Sequence, residues 1–559
     1  MRQVGLTTAV LVAIVLLNVS LAFTNIWPTP KIHWDGHLSA EVALVVLGLI
    51  AVHRLCGSKA PPVKKRQHLS WVAGVWVALV LGRYLDVMAP ALYGREVNLY
   101  WDSRHLPAVF AMMTTAVPVW LLLGGCLAIL AAIVASFWVM RAAWRLVALG
   151  VDRTWDRRVL GAMAAATVVL WVGQQAGVLP DTKDKSWVTP TVVQSYWRQG
   201  RILVTQLATR RSAVVESQLA TQSDLQQVEG ADVYLLFVES YGAVTYDRPS
   251  VASVVEKGRA EFEEAVKQSG RQVVSAFVES PTFAGSSWLA HVTLMSGVET
   301  RDEDTNSVLM SQQRDTLVTT FQRHGYRAVA VMPGLTFSWP EGAFYRFDRI
   351  YDEASMKYNG PHFSWWEVPD QFALSRLDAL EQFRPRQSGP PRFVFFPTTS
   401  THAPFGPTAP YQPDWSRFGS SDPYDPDAVK AALALQPDWL DLSPSYAHSV
   451  NYAYASIGGY LRVNAGRDLV MVMLGDHQPA AAVSGEGASW DVPVHIIASR
   501  PELLDRFIAR GFYPGMQPPR KAIGKMHELL PTLLEVFGSA PVQTTGREAG
   551  TSSTGQRPG

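Results

Sequence analysis

Asp232-Val-Tyr-Leu-Leu-Phe-Val238, running into Glu239-Ser-Tyr-Gly242, is the stretch that decides the fold. It is a short apolar run that reads as a buried strand and ends in an acid and a turn. From residue 231 onward such runs alternate with helical stretches. Strand-like segments at 232–238, 326–332, 393–396, 468–474 and 492–497 are separated by amphipathic segments such as 251–268, 315–324, 445–463 and 521–536. This alternation predicts an α/β domain with a central, mostly parallel sheet. Ligands of such sheets collect at the carboxyl ends of the strands, so the chemistry is to be sought in the loops there. No internal repeat is evident.

Three of those loops carry ligand-type residues. The first strand runs into Glu239, the 468–474 strand into Gly475-Asp476-His477-Gln478-Pro479, and the 393–396 strand into Thr401-His402-Ala403-Pro404-Phe405. Oxygen and imidazole donors suit a divalent zinc or manganese ion. Each has an ordinary explanation by itself: Glu239 as a helix cap, Asp476-His477 as a turn. Three independent strand ends together favour a metal site. A fourth stretch, Thr282-Phe-Ala-Gly-Ser-Ser-Trp-Leu-Ala-His-Val-Thr-Leu-Met-Ser-Gly297, is a small-residue turn feeding a helix, with Ser286 and Ser287 where the helix begins. Helix N-termini carry unpaired N–H groups and favour negative charge. A hydroxyl there is placed to attack or receive a phosphoryl group; the competing explanation is a helix cap.

The chain has 559 residues, more than one ordinary domain needs, and is 48% hydrophobic but only 17% charged. The apolar residues concentrate in the first third, in five segments at 4–26, 38–55, 69–85, 106–140 and 159–178. Most approach the roughly 20 residues that cross a bilayer. The fourth is overlong, which implies tilt or extension beyond the lipid. The first lacks a small-residue cleavage site and four more follow, so it reads as a retained anchor rather than a signal peptide. Arg54, Lys59, Lys64, Lys65 and Arg66 follow the second segment, and Arg141, Arg145, Arg153, Arg157 and Arg158 lie between the fourth and fifth. The positive-inside rule places these loops and the N-terminus in the cytoplasm, and everything after residue 178 on the outer side of the membrane. Glu41 and the Arg83–Asp86 pair lie near segment ends, within side-chain reach of the interface. The expected organisation is a transmembrane region at 1–180, a connector at 181–230 with an amphipathic helix lying on the membrane or packed on the outer domain, an α/β domain at 231–540 and a disordered tail at 541–559.

A net charge of +1 gives no reason to expect nucleic acid as a partner. The two cysteines, Cys56 and Cys126, both lie in the apolar third, so the outer domain has no disulfides.

Glu239, Gly285-Ser-Ser-Trp-Leu-Ala-His291, His402-Ala-Pro404 and Gly475-Asp-His477 together resemble the alkaline phosphatase superfamily. More closely, they resemble its membrane-anchored sulfatase-like branch of lipoteichoic acid synthases and phosphoglycerol and phosphoethanolamine transferases. That branch has five spans, a connector helix and an extracytoplasmic domain in the bacterial cytoplasmic (inner) membrane. Residues 445–461 and 527–538 are similar to the branch's helix before the Asp-His strand and to its closing helix. The resemblance implies that Glu239, Asp476 and His477 ligate the metal with the nucleophile oxygen, and that His402 contacts the phosphoryl group or a second ion. Ser287 stands at the family's spacing from Gly297 and is favoured as nucleophile; Ser286 is the runner-up. For a second metal, His495 and Asp491 are candidates by position alone, whereas His291, His324, His448 and His527 read as structural or surface residues. Trp339, Trp365 and Trp366 fall in loops where relatives place substrate contacts, with plain packing as the alternative.

A sulfatase nucleophile destined for formylglycine is followed by Pro at the second position and Arg at the fourth; here those are Leu289 and His291, which argues against sulfatase chemistry. The resemblance therefore implies a metal-dependent transferase. It would carry a phospho-alcohol head group from a phospholipid donor to an envelope glycan or lipid through a phosphoserine intermediate. The alternatives are a phosphodiesterase or phosphatase with water as acceptor, and a non-catalytic envelope regulator.

Overall fold

The computed structural model describes residues 2–26, 31–56, 68–93, 96–100, 102–103, 106, 110, 114, 118–179, 186–208, 222–336, 339–381, 389–420 and 423–539. The expected tail, the basic residues Lys59, Lys64, Lys65 and Arg66, and part of the connector lie outside the described residues. The chain divides into two units, Met1–Ser212 with Ala480–Glu486, and Ala213–Pro479 with Gly487–Gly559.

In the first unit a helix lies in each of the five apolar segments: α1 (Arg2–Val19), α2 (Ala40–Cys56), α3 (His68–Tyr93), α4 (Val119–Val151) and α5 (Thr154–Gln175). By length and composition, His68–Leu92 and Val119–Val151 suffice to cross a membrane, and Gly5–Val19 is a shorter apolar helix. Within the expected 106–140, the described residues Leu106, Phe110 and Thr114 are helical and α4 covers 119–140, running on to Val151. Pro118 precedes α4, and no interior hydrogen bond is lost where a Pro starts a helix. At the other end the apolar stretch continues helically to Val151, so Arg141 and Arg145 lie on the helix and the α4–α5 turn is short. Beside that turn His53, at the end of α2, meets Asp152 at 3.1 Å and Arg157 at 3.0 Å. The described parts of both basic stretches thus occupy one end of the bundle.

At the opposite end, Asn18 accepts from Ser39 N and donates to His37 O. Of the charged groups expected to reach toward an interface, Glu41 and Arg83 are instead buried and bonded to backbone. Glu41 accepts from Ser39 Oγ (2.9 Å) and from Val192 N (2.7 Å), at the start of α6 (Val192–Ala208), and Arg83 donates twice to Phe23 O. Tyr196 of α6 donates to Ala78 O, while Val193, Trp197 and Leu203 stay exposed. The connector helix is therefore amphipathic, with one face packed on α3.

Among the described residues, the second unit holds one eight-stranded sheet. Its strands are β1 (Asp232–Val238), β2 (Gln272–Glu279), β3 (Arg327–Val331), β4 (Arg349–Tyr351), β5 (Arg392–Pro397), β6 (Leu469–Gly475), β7 (Asp491–Ala498) and β8 (Tyr513–Pro514). They lie in the order β8-β2-β7-β6-β1-β5-β3-β4. The five strands from β6 to β4 are parallel, whereas β7, β2 and β8 each run antiparallel to the preceding neighbour. The sheet is thus mostly parallel, as expected, with an antiparallel flank.

β1 lies at its centre and every one of its residues is buried, which is why its sequence is apolar without alternation. Its odd positions, Val233, Leu235 and Phe237, share a core with Ala290, Leu294, Leu530 and Leu533 of α8 (Ser287–Ser296) and α10 (Leu529–Phe537). On the opposite face Tyr234 meets Tyr460 of α9 (Ser443–Val463) through their hydroxyls at 2.8 Å. α9 packs in turn on α7 (Pro249–Gln268) through Gly458, against which Phe262 and Ala265 sit closely.

Candidate active site

The register of the central strands brings the first ligand pair together. β1 pairs with β6 in parallel, with Val238 opposite Gly475. The next residue on each strand, Glu239 and Asp476, therefore emerges side by side. The approach is so close that a Cβ on Gly475 would lie 1.8 Å from Tyr241 O, so only glycine is compatible there. On the other flank β5 ends level with β1, and Glu239 N donates to Thr398 Oγ1 at 3.1 Å.

Ser287 arrives from the opposite direction. Ala284, Gly285 and Ser286 all have positive φ (56°, 137° and 60°), a left-handed turn that is sterically unfavourable for the two non-glycine residues. Thr282 Oγ1 closes it by donating to Gly285 O at 2.6 Å. Ser287 then opens α8, and its Oγ donates to Glu239 Oε2 at 2.9 Å and lies 3.2 Å from His477 Nε2. Ser286 stands at the cap position, yet its side chain makes no capping bond. The structure thus brings Ser287, and not Ser286, to the carboxylate and imidazole.

Donor atoms of Glu239, Asp476 and His477 all lie within 4.8 Å of one another, the one such group of three among the described residues. His477 Nδ1 is 2.7 Å from Gln478 O. A carbonyl can only accept, so Nδ1 carries a proton and Nε2 is the nitrogen that faces the cluster, the arrangement typical of a metal-binding histidine. Gln478 O also accepts from Ala284 N, tying the histidine to the serine turn. One imidazole nitrogen, two carboxylates and a hydroxyl around one point fit a divalent cation such as zinc or manganese.

Electrostatics agree with that fit. Burial disfavours the His477 imidazolium, but Asp476 and Glu239 outweigh it and raise its pKa to about 9. Burial and the Glu239 charge push the Asp476 carboxyl well up. For Glu239, burial is overcome by the hydrogen bond and charge of His477 and by His402, which hold its carboxyl well below the usual range. Glu239 is thus held ionised, while Asp476 and His477 both hold their protons more firmly than free groups do.

His402 is half-buried and lies outside this donor group. Its Nδ1 is engaged by Ala403 O at 2.7 Å, and Trp366 and Trp365 flank its ring at 5.8 and 6.4 Å. Trp339, by contrast, packs on Tyr345. His495 is no second-metal ligand in this arrangement: it is fully buried, with Ser275 Oγ 2.6 Å from Nδ1 and Tyr241 Oη 3.0 Å from Nε2. His291 is buried against Phe237 and Phe395, and burial lowers its pKa to about 3. Sequence reasoning missed Thr398, Ser240 and Gln478, which hold the ligands; being neutral residues in loops, they gave no signal.

Comparison with known proteins follows the same line. Residues 289–539 match the sulfatase family model, a span that begins just after Ser287 and takes in His402, Asp476 and His477. Residues 289–539 of this unit thus carry a sulfatase-family domain. Similar solved structures include the integral membrane lipooligosaccharide phosphoethanolamine transferase A (EptA) from Neisseria meningitidis, 13% identical, covering 89% of this chain and 87% of that one, with a TM-score of 0.45. The lipoteichoic acid synthase LtaP from Listeria monocytogenes is 13% identical over 59% of this chain and 78% of that one, with a TM-score of 0.34. The phosphoglycerol transferase GacH from Streptococcus pyogenes, solved with sn-glycerol-1-phosphate, is 13% identical over 56% and 87%, with a TM-score of 0.33. No curated protein matches the chain.

Proposed function

We propose that the protein is a membrane-anchored transferase of phospho-alcohol head groups, with Ser287 as nucleophile. Phosphoglycerol and phosphoethanolamine are the head groups that fit this reading. The observation that carries it is the convergence of Ser287 Oγ on Glu239, at 2.9 Å, and on His477 at the N-terminus of α8. Glu239, Asp476 and His477, with Ser287 Oγ, would hold the divalent cation. When bound, the cation supplies positive charge to the phosphoryl oxygens and lowers the pKa of the coordinated hydroxyl.

The chain's own residues do the rest. Glu239 Oε2 accepts the Ser287 proton as Oγ bonds to phosphorus and the bond from phosphorus to the lipid oxygen breaks. The head group remains esterified to Ser287, and the departing oxygen takes a proton from His402 Nε2, whose ring is oriented by the Nδ1 contact to Ala403 O. An acceptor hydroxyl then attacks phosphorus, its proton passes to His402, and Ser287 leaves and recovers its own. The N–H groups opening α8 face the negative charge throughout. The N-terminal helices would anchor the chain by five spans in a bacterial cytoplasmic membrane, with the N-terminus inside and the catalytic unit outside. A tethered site there meets phospholipid head groups at high effective concentration, and an envelope glycan or lipid would be the acceptor.

The test is incubation of the full-length protein with phospholipids labelled in the head group, with and without envelope acceptors. Transfer of label to an acceptor, with label trapped on Ser287, supports the reading. Release of the labelled phospho-alcohol into water, even with acceptors present, would establish a hydrolase instead. Undiminished turnover by Ser287→Ala would refute the nucleophile.

A further inference from the structure

We propose that Ser240 is a positioning residue that fixes which oxygen of each metal-site carboxylate is free, and that Tyr446 holds it there. The inference rests on the metal-centre reading above. Ser240 has φ of 54°, a left-handed conformation uncommon for a residue with a side chain. It is 4% exposed, and each of its polar groups has a separate partner. Its N–H donates to Asp476 Oδ1 at 2.8 Å, its hydroxyl to Glu239 Oε1 at 3.1 Å, and its carbonyl accepts from Tyr446 Oη at 2.8 Å.

The consequence is geometric. Glu239 Oε1 accepts from Ser240 and lies 3.4 Å from His477 Nε2, which leaves Oε2 as the oxygen facing Ser287. Asp476 Oδ1 accepts from both Ser240 N and His477 N, leaving Oδ2 free on the side of His477 Nε2. One residue thus turns both carboxylates, with Glu239 Oε2 left toward Ser287 and Asp476 Oδ2 toward His477. An ordinary extended residue would point its N–H and hydroxyl elsewhere, so the left-handed backbone is what makes the double contact available.

That backbone needs an anchor, and Tyr446 of α9 provides one. It is fully buried, and its ring packs edge-on against Phe405 at 5.1 Å. Phe405 belongs to the His402 loop and donates its N–H to His402 O at 2.8 Å. Tyr446 therefore joins the loop bearing the metal carboxylates to the loop bearing His402, without touching Ser287 or either carboxylate. Substituting a residue that orients metal ligands in this way typically costs about ten- to a hundredfold in metal affinity.

The experiment is zinc titration of the full-length protein in detergent, in competition with a chromophoric chelator, for Ser240→Ala, Tyr446→Phe and Tyr460→Phe. Tyr460 is the control: it is an equally buried tyrosine on α9, but its hydroxyl serves Tyr234 and Asp378. Ser240→Ala and Tyr446→Phe should weaken zinc binding about ten- to a hundredfold, while Tyr460→Phe loses stability and keeps the wild-type affinity. A merely structural role for Tyr446 would lower the melting temperature of its variant as it does for Tyr460→Phe and leave affinity unmoved, which would overturn the proposal. Should Tyr446→Phe fail to fold, Ser240→Ala, which deletes one oxygen, decides alone. A wild-type protein that binds no zinc would remove the metal centre, and this inference with it. Tight wild-type binding left untouched by both variants would remove the inference only.

Discussion

Metal affinity should depend steeply on pH, and the structure specifies how. In the metal-free site the His477 pKa stands at about 9, against an ordinary 6.5. Nδ1 keeps its proton on Gln478 O, so the titrating proton is the one on Nε2, the atom that faces Ser287 and Glu239. A cation entering the cluster must displace it. Below pH 9 the loss of that proton by itself changes affinity about tenfold per unit of pH, or roughly 1.36 kcal/mol, so raising the pH from about 6.5 to 8.5 tightens zinc binding at least about a hundredfold, a proton held on Asp476 adding to the slope. The gain levels off above pH 9. The metal-free fold shows the opposite trend. A histidine whose pKa is raised on folding stabilises fully below its unfolded value of 6.5 and loses that contribution as pH climbs through 9. The contribution lost is roughly 3 kcal/mol, from 2.5 units at about 1.36 kcal/mol each. Chelator competition across this range gives the first quantity, and thermal melts with and without zinc give the second. An affinity that levels off near pH 7, as an unperturbed histidine would give, refutes the argument.

Ser287→Ala should reduce turnover by about three orders of magnitude or more while Ser286→Ala retains most of it, because only Ser287 reaches Glu239; initial rates on a labelled phospholipid separate them. His402→Ala should lower kcat by about 10²–10⁴ and leave zinc affinity unchanged, since His402 lies outside the ligand group; a parallel loss of zinc would place it on the metal instead. Gly475→Ala puts a methyl group 1.8 Å from Tyr241 O. It should cost about 3 kcal/mol or more in a denaturation experiment, and a variant of wild-type stability would contradict the close approach of β1 and β6.

The ligand-bearing half of the site was legible in the sequence because parallel strands are apolar runs and their carboxyl-terminal residues stand out against them. Glu239, Asp476, His477 and His402 all follow such runs. Ser287 was separable from Ser286 only by its distance from Gly297. The physical reason, three successive positive-φ residues at 284–286, has no signature in Ala and Ser, which seldom adopt that conformation. β2 escaped notice because Ser275 interrupts its apolar run; that serine is tolerated in the core because it bonds to His495 and Gly515 O. The same bond explains why a histidine near a strand end is no ligand. The fourth apolar segment ended too early because the helix carries Arg141 and Arg145 on to Val151, past the residues that hydropathy marks.

The centre and the sheet are one construction. Parallel pairing of β1 with β6 at Val238 and Gly475 forces Glu239 and Asp476 together wherever the fold forms, whether or not a cation is present. Two buried carboxylates at that separation repel, and burial raises the cost of their charge. The metal-free protein compensates by holding protons more firmly on His477 and Asp476. A divalent cation balances both carboxylates and returns His477 to the neutral form that can bind it. The fold thus holds an electrostatic cost that protons relieve in part and cation binding relieves further. The register of β1 and β6, set by apolar residues far from the chemistry, fixes how much of the binding free energy that relief contributes.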